Sequence, residues 1–250
     1  MNELSYISVE EAIPLSGLRV AYSRGVPGPW GVGARAILEY KNIPYIAVTQ
    51  AVGEPNEALQ RWTGQSSAPV AVYNDERPRA SWAEIIVLAE RLAPQPALIP
   101  AVEEDRATMF GLGHEICGED GFGWNVRLMM MEARGRDAAS ALMKKYDSGG
   151  GFAHAQARTN IILAMLARRL EAQAARGSSY FVGEELSAVD FYWTGFSHLL
   201  RGFPAEVCDM PDWYRNLGDL VCAHLEPAPE ILFAHRDRIL REHMRCPFRF

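Results

Sequence analysis

The segment AYSRGVPGPWGVGAR, residues 21–35, concentrates the side chains with the most chemical reach in the first third of the chain: Tyr22, Ser23, Arg24, Trp30 and Arg35. It contains no Cys, His, Asp or Glu, so it has no thiol, acid or base of its own. What it can offer is hydrogen-bond donors: two hydroxyls, an indole N–H and guanidinium groups. Its four glycines invite comparison with a phosphate cradle, but no Gly-Lys-Ser/Thr follows, which argues against that chemistry. Ser81, in RASWAEI, stands at the start of a helical pattern. A hydroxyl beside free backbone N–H groups there suits a carboxylate ligand, and equally suits a simple N-cap. His114, Glu115 and Cys117 are near neighbours, yet too few to make a metal site, and none is expected.

The elements that must position these groups follow from periodicity and punctuation. Leu18 to Tyr22 and Tyr45 to Val48 are short apolar strands. A helix from Ala34 to Tyr40 between them makes a β-α-β unit. Glu57 to Trp62 forms a short helix, Val70 to Tyr73 a third strand, and Asn74-Asp75 a turn into a short edge at Arg77 to Arg79. A helix follows from Trp82 to Leu92. APQPALIP, residues 93–100, cannot be a helix interior and serves as a linker. Everything beyond is helical: Glu103 to Ile116 and Trp124 to Ala133 interrupted by GEDGFG, then Ala153 to Arg176, and stretches near 188–202, 212–225 and 229–243. Gly177 ends the longest of these. Residues 134–151, RGRDAASALMKKYDSGGG, are the expected mobile loop.

Composition bounds the partners. The chain has 250 residues, 48% of them hydrophobic, and a formal net charge of -6 with both signs mixed. No basic block of the kind that neutralises a phosphate backbone is present, which argues against nucleic acid. The first residues carry acids and no apolar core of about seven, unlike a secretory signal. No apolar run approaches about eighteen residues, so no membrane span is expected. The four cysteines (Cys117, Cys208, Cys222 and Cys246) are scattered without short paired spacings. That pattern fits a reduced, cytoplasmic protein.

A small α/β unit, a proline-rich connection and an all-helical second half is the order of the glutathione transferases, and three local patterns resemble that family over roughly residues 17–240. SSAPVAVY, residues 66–73, resembles the turn in which a cis-proline opens a strand of thioredoxin-like folds; the resemblance implies a cis Pro69 and an Ala68 backbone that pairs with the cysteinyl part of glutathione. RASWAEI resembles the site that holds the γ-glutamyl carboxylate, on Ser81 or, one residue along, Trp82. The acid usual before that serine is replaced by Ala80, for which Glu84 is a substitute. GEELSAVD, residues 183–190, is similar to the family's buried Gly-x-x-x-Ser-x-x-Asp element. Its local physics predicts that Ser187 caps a helix while Asp190 accepts from the Ser187 backbone N–H.

The resemblance implies a thioredoxin-like domain over residues 1–92, with 1–16 an N-terminal extension, a linker over 93–100, and an all-helical glutathione-transferase C-terminal domain over 101–250. It implies glutathione as co-substrate, a hydrophobic electrophile as its acceptor, no metal and a homodimer. The donor to the sulfur falls first on Tyr22, then on Ser23, with Arg24 and Trp30 behind them and Trp30 also a glutathione contact. The absence of a loop cysteine argues against the reductase-type members. Phe110, His114 and Trp124, with Met129, Met130 and Met131, fall where the family walls its hydrophobic pocket, although core packing explains the methionines as well. The missing acid and the absent standard donor leave a second reading: a non-catalytic binding or interaction protein of the same fold.

Overall fold

The computed structural model describes residues 4–135, 141–147 and 149–250. The segment expected as an N-terminal extension is built into the sheet. It supplies β1 (Tyr6–Ile7) and a one-turn helix α1 (Val9–Ala12), started by a reciprocal cap between Ser8 and Glu11. Then come β2 (Leu18–Ser23), α2 (Pro29–Tyr40), β3 (Ile46–Gln50), α3 (Glu57–Thr63), β4 (Val70–Tyr73) and α4 (Trp82–Leu92). The strand order is β1-β3-β2-β4, with β3 parallel to both β1 and β2, and β4 antiparallel to β2. A parallel pair needs a crossover, and α2 provides it between β2 and β3. β1 covers the edge of β3 that would otherwise be open to pairing. The expected edge strand at Arg77 to Arg79 shrinks to a single bridge between Ala71 and Arg79. Pro78 has no N–H to extend a ladder there.

Alternation along the strands separates two cores. Leu18, Val20 and Tyr22 join the large one with Ile37, Leu38 and Ile85, whereas Ala21, Val48 and Val70 face a smaller one with Val9 and Leu59. The helix expected from Ala34 starts five residues earlier, so PWGVG is helix and not loop. Pro29 takes the first helical position, where its fixed φ and missing N–H cost nothing. The glycines inside serve packing. A Cβ on Gly33 would come within 2.5 Å of the Tyr192 ring, and one on Gly195 within 2.8 Å of the Pro29 carbonyl oxygen.

The rest is helical: α5 (Glu103–Cys117), α6 (Phe122–Ala133), α7 (Ala141–Tyr146), α8 (Gly151–Ala174), α9 (Ala188–Ser197), α10 (Asp212–Arg215), α11 (Leu217–Cys222) and α12 (Glu230–His243). Of the expected loop at 134–151, residues 136–140 and 148 lie outside the described residues, and α7 and the start of α8 occupy much of the remainder. The helix expected over 212–225 is broken at Asn216 into α10 and α11. α9 is buried along its whole length and packs against α2, α5 and α12.

The start of α9 carries the expected reciprocal cap between Ser187 and Asp190 and adds to it. Asp190 does accept from the Ser187 N–H at 2.9 Å, but the Ser187 hydroxyl also donates to that carboxylate at 2.9 Å, and the Phe181 N–H donates at 3.0 Å. A fully buried carboxylate gathers every donor in reach. His235 Nε2 lies 3.0 Å away from it as well, without making a hydrogen bond.

Candidate functional site

Sheet register assembles the predicted residues. Ala21 pairs with Val70 at the last rung of the antiparallel β2–β4 ladder, so Ser23, at the end of β2, and Ala68 and Pro69, just before β4, lie beyond the same end of that ladder. On the other side of β4, Ala71 pairs with Arg79, and the chain running on from that antiparallel bridge carries Ser81 toward the same end. Ser23, Ala68, Pro69 and Ser81 therefore meet at one end of the sheet. The Ala68–Pro69 peptide bond is cis. Ala68 lies outside the strand ladder, half-buried. The N-terminus of α2 stands over the same end: its N-cap is Gly28, no side chain caps it, and a Cβ there would sit 3.7 Å from Ser23 Oγ. Uncapped N–H groups and the helix dipole favour negative charge at that point.

The loop's donors are disposed differently from one another. Tyr22 is fully buried, its ring edge-on to Tyr45 and Phe250, each at 5.8 Å between centroids. Its hydroxyl has neither solvent contact nor a hydrogen-bond partner among the described residues. Burial, with Tyr45 close by, drives that hydroxyl well above its ordinary pKa. Ser23 points to the opposite side and is half-buried. Its hydroxyl donates to Gln50 Oε1 at 2.7 Å, while Gln50 Nε2 donates to the carbonyls of Ala51 and Ser66 at 2.8 and 3.5 Å. Those carbonyls fix the Gln50 amide with its oxygen toward Ser23. Arg24 is exposed, over the Tyr6 ring at 5.9 Å. Trp30 turns away from the sheet end, and its indole N–H donates to the Cys117 carbonyl at 3.0 Å. The loop is tied down from a distance, since the Gly25 N–H donates to the Phe250 carbonyl at 2.8 Å.

The helix end expected to take a carboxylate is already occupied by the chain's own groups. Ser81 is the N-cap of α4, and its hydroxyl accepts from the Glu84 N–H at 3.1 Å. The Glu84 carboxylate turns back onto the N–H groups of Ala80 and Ser81, each at 3.3 Å, and pairs with Arg77 at 2.7 Å. Partial burial raises the Glu84 pKa, but Arg77 and these N–H groups outweigh it and hold the carboxyl below its ordinary range. Trp82 turns inward, against the face of Gly113, with Phe110 at 6.1 Å and Tyr192 at 5.9 Å.

Between the sheet unit and the helices lies an aromatic cluster. Tyr146 of α7 stacks on Trp30 at 6.5 Å and meets Trp124 edge-on at 5.2 Å. Arg127 of α6 reaches over Trp30 at 5.9 Å. Phe110 belongs to the Trp82 group instead, with the Arg106 guanidinium over it at 5.2 Å. His114 is exposed beside Gly118 and joins neither. Met129, Met130 and Met131 are buried in the core. Behind the loop, His198 donates through Nδ1 to the Gly195 carbonyl at 2.6 Å and lies 3.5 Å from the Tyr214 hydroxyl, which reaches the Pro27 carbonyl at 3.4 Å. Burial, with Arg127 and Arg236 nearby, lowers His198 to about 3, against the Gly195 bond, so the ring is neutral.

Gln50, Arg127 and Tyr146 are the participants that sequence reasoning passed over. Gln50 offers no signal short of the fold. Arg127 had one, a lone cation inside the apolar run VRLMMM. Among the described residues no group of three or more His, Cys, Asp or Glu could hold a metal, and no helix is long and apolar enough to cross a membrane.

No family model matches the chain, and no curated protein does. Solved structures do. A glutathione S-transferase from Methylobacterium radiotolerans in complex with glutathione sulfonate superposes with a TM-score of 0.58 at 20% identity, covering 85% of this chain and 92% of that one. A glutathione S-transferase domain-containing protein from Marinobacter aquaeolei gives 0.63 at 15% identity, covering 90% and 98%. Ure2p in complex with glutathione gives 0.54 at 14% identity, covering 88% and 99%. The chain thus has the glutathione-transferase fold, a thioredoxin-like unit followed by a helical one.

Proposed function

We propose that this chain binds glutathione at the sheet end formed by Ser23, Ala68, Pro69 and Ser81, and presents its thiolate to an apolar electrophile held between the two units. The thiolate attacks the electrophilic carbon, a C–S bond forms, and the leaving group departs with its electron pair. The observation that carries the reading is the register, which brings a hydroxyl, a free strand-edge backbone and a helix cap to one place under an uncapped helix N-terminus.

In this reading Ser23 is the donor to sulfur, with Tyr22 enclosed behind it. A thiol of pKa near 8.5 lowered by about two units is stabilised as thiolate by about 2.7 kcal/mol. Ser23 must turn its hydroxyl from Gln50 to the sulfur. A bond to a charged acceptor contributes about 1.5–3 kcal/mol against about 0.5–1.5 for a neutral one, so the exchange favours the thiolate by about 1 kcal/mol. The helix dipole supplies about 0.3–1 kcal/mol more. Together these terms supply about half to three-quarters of the required stabilisation without any acid or base in the loop. Residues 1–92 would form the glutathione side, with 1–16 closing the sheet edge, 93–100 the connection, and 101–250 the acceptor side in a cytoplasmic homodimer.

One observation favours the second reading, a non-catalytic protein of this fold: Glu84 occupies the N–H groups that a ligand carboxylate would use. Two measurements separate the readings. Calorimetric titration with glutathione tests the site. Conjugation of glutathione to 1-chloro-2,4-dinitrobenzene, followed by absorbance, tests the chemistry. Binding without conjugation across several electrophiles, or no glutathione binding at all, would select the non-catalytic reading.

A further inference from the structure

The turn between β2 and α2, residues 24–28, sets the places of Ser23 before it and of the helix N-terminus after it. Its Arg24 N–H donates to the Gln50 carbonyl at 3.0 Å, and its Gly28 N–H to the Val26 carbonyl of the turn itself at 2.9 Å. The Gly25 N–H instead reaches a distant part of the chain, the Phe250 carbonyl, at 2.8 Å. Phe250 touches the whole connection. Its ring stands edge-on to Tyr22 at the strand end, with 5.8 Å between centroids, and a Cβ on Gly31, in the first turn of α2, would come 3.7 Å from it. The ring contact is on the Tyr22 side of the strand, and Ser23 points the other way. Phe250 therefore supports the turn from behind and leaves the Ser23 side clear.

The segment that carries Phe250 has anchors of its own. Arg35 of α2 is buried and paired with Glu39 at 2.7 Å. It donates to the Arg249 carbonyl, and its guanidinium lies 5.1 Å from the Phe250 ring and 5.9 Å from that of Phe248. Phe248 is buried, packs on Phe203 at 5.5 Å, and donates its N–H to the Val207 carbonyl at 3.0 Å. Phe203 and Val207 follow α9 in the helical unit. Residues 248–250 are thus fixed at one end to the helical unit and at the other to the turn that carries the site.

We propose that residues 248–250 are a strap that orders the β2–α2 turn, and that Phe250 is a positioning residue for the site. Groups carried by a turn are placed only as well as the contacts behind it allow, and a misplacement of about 1 Å at a reacting centre costs on the order of a hundredfold in rate. Loosening this turn moves Ser23 and the uncapped end of α2 together, while Ala68, held just before β4, stays in place. A bound thiol then loses stabilisation as thiolate more than glutathione loses affinity. The effect on sulfur rests on the reading of Ser23 as its donor; the ordering of the turn does not.

Amide hydrogen exchange, resolved by NMR without glutathione, compares the wild-type protein with a chain lacking Phe250 and with Phe250→Ala, which keeps the backbone acceptor. Gly25 loses its acceptor in the first variant, so its own rate decides nothing. Arg24 and Gly28 donate to carbonyls that Phe250 does not touch, and their rates report the order of the turn. Both should exchange at least about tenfold faster without Phe250, which is about 1.4 kcal/mol of local opening, and about threefold faster in Phe250→Ala. Unchanged rates at Arg24 and Gly28 overturn the proposal. A rise no larger than that of the buried α9 amides overturns it too, since the segment then serves overall stability alone. The second arm titrates the thiol of bound glutathione by thiolate absorbance. Phe250→Ala should raise its pKa toward the free value of about 8.5, and Phe250→Leu should keep part of the wild-type depression. A loss of stability alone would not move that pKa, so an unmoved pKa in a variant that binds glutathione overturns the positioning role. If the wild-type protein binds no glutathione, the conjugation reading falls, and the exchange rates alone decide whether the strap orders the turn.

Discussion

Replacing Glu84 by Ala should make the protein less stable and a better glutathione binder at once. The carboxylate turns onto the Ala80 and Ser81 N–H groups, which are the groups a γ-glutamyl carboxylate would need. Both of its bonds are 3.3 Å long, and its Arg77 partner is 67% exposed. A cap of this kind contributes about 0.5–2 kcal/mol and an exposed ion pair about 0–1. With long bonds and open water, the sum sits near the low end, about 1 kcal/mol. Removing it should cost that much in urea denaturation. A ligand carboxylate must displace the same contacts in the wild-type protein, and about 1 kcal/mol is close to a factor of five in affinity. Calorimetric titration of glutathione at pH 7 should therefore show about fivefold tighter binding to Glu84→Ala. Glu84→Gln, which keeps an oxygen acceptor but no charge, should fall between. If Glu84→Ala binds glutathione more weakly than wild type, Glu84 holds the ligand's ammonium group and the argument from self-occupation is wrong. If affinity is unchanged while stability drops, no carboxylate uses this helix end.

Ser23→Ala should cut conjugation at pH 7 about ten- to thirtyfold, with recovery at high pH as the thiol ionises unaided; Tyr22→Phe should leave activity within about twofold, because it deletes a buried hydroxyl with no partner. The reverse pattern in the pH–rate profiles would return the role to Tyr22. Asp190→Ala removes the acceptor from three buried donors. It should lower unfolding free energy by about 3–5 kcal/mol, the range for breaking a buried charged network, and a loss under 1 kcal/mol by chemical denaturation would show that water replaces the carboxylate. His198 is held near 3 in the folded state, against an unfolded value of about 6.5. Between those values the unfolded chain takes up a proton that the folded chain refuses, so this histidine removes stability as pH falls, by about 1.4 kcal/mol per unit. His198→Phe, which keeps a ring against Phe203, should show a shallower acid slope than wild type below about pH 6 by that amount; parallel slopes would refute the assignment.

Much of the architecture was legible along the chain, because it is written in local signals. The order of strand and helix patterns, the prolines at 93–100 and the extent of α4 from Trp82 to Leu92 follow from periodicity, punctuation and propensity acting within a few residues. SSAPVAVY and GEELSAVD marked a cis proline and a buried aspartate through their resemblance to the glutathione-transferase patterns. What the sequence could not convey depends on contacts far apart in it. Strand alternation says that Tyr22 and Ser23 face opposite sides, but not which side is open. Phe250 and Tyr45 close the Tyr22 side, while Gln50 and the chain at Ser66 leave Ser23 half-exposed. PWGVG looked like loop and is helix, and the partner that requires Gly33 to be small is Tyr192, more than a hundred residues away. Glu84 is an ordinary helix acid until folding sets the turn before it, after which its carboxylate occupies the Ala80 and Ser81 N–H groups. Local chemistry decided which elements form and which groups could act. Packing between distant segments decided which of those groups are reachable, since burial and hydrogen-bond commitment are properties of the assembled neighbours and not of any residue alone.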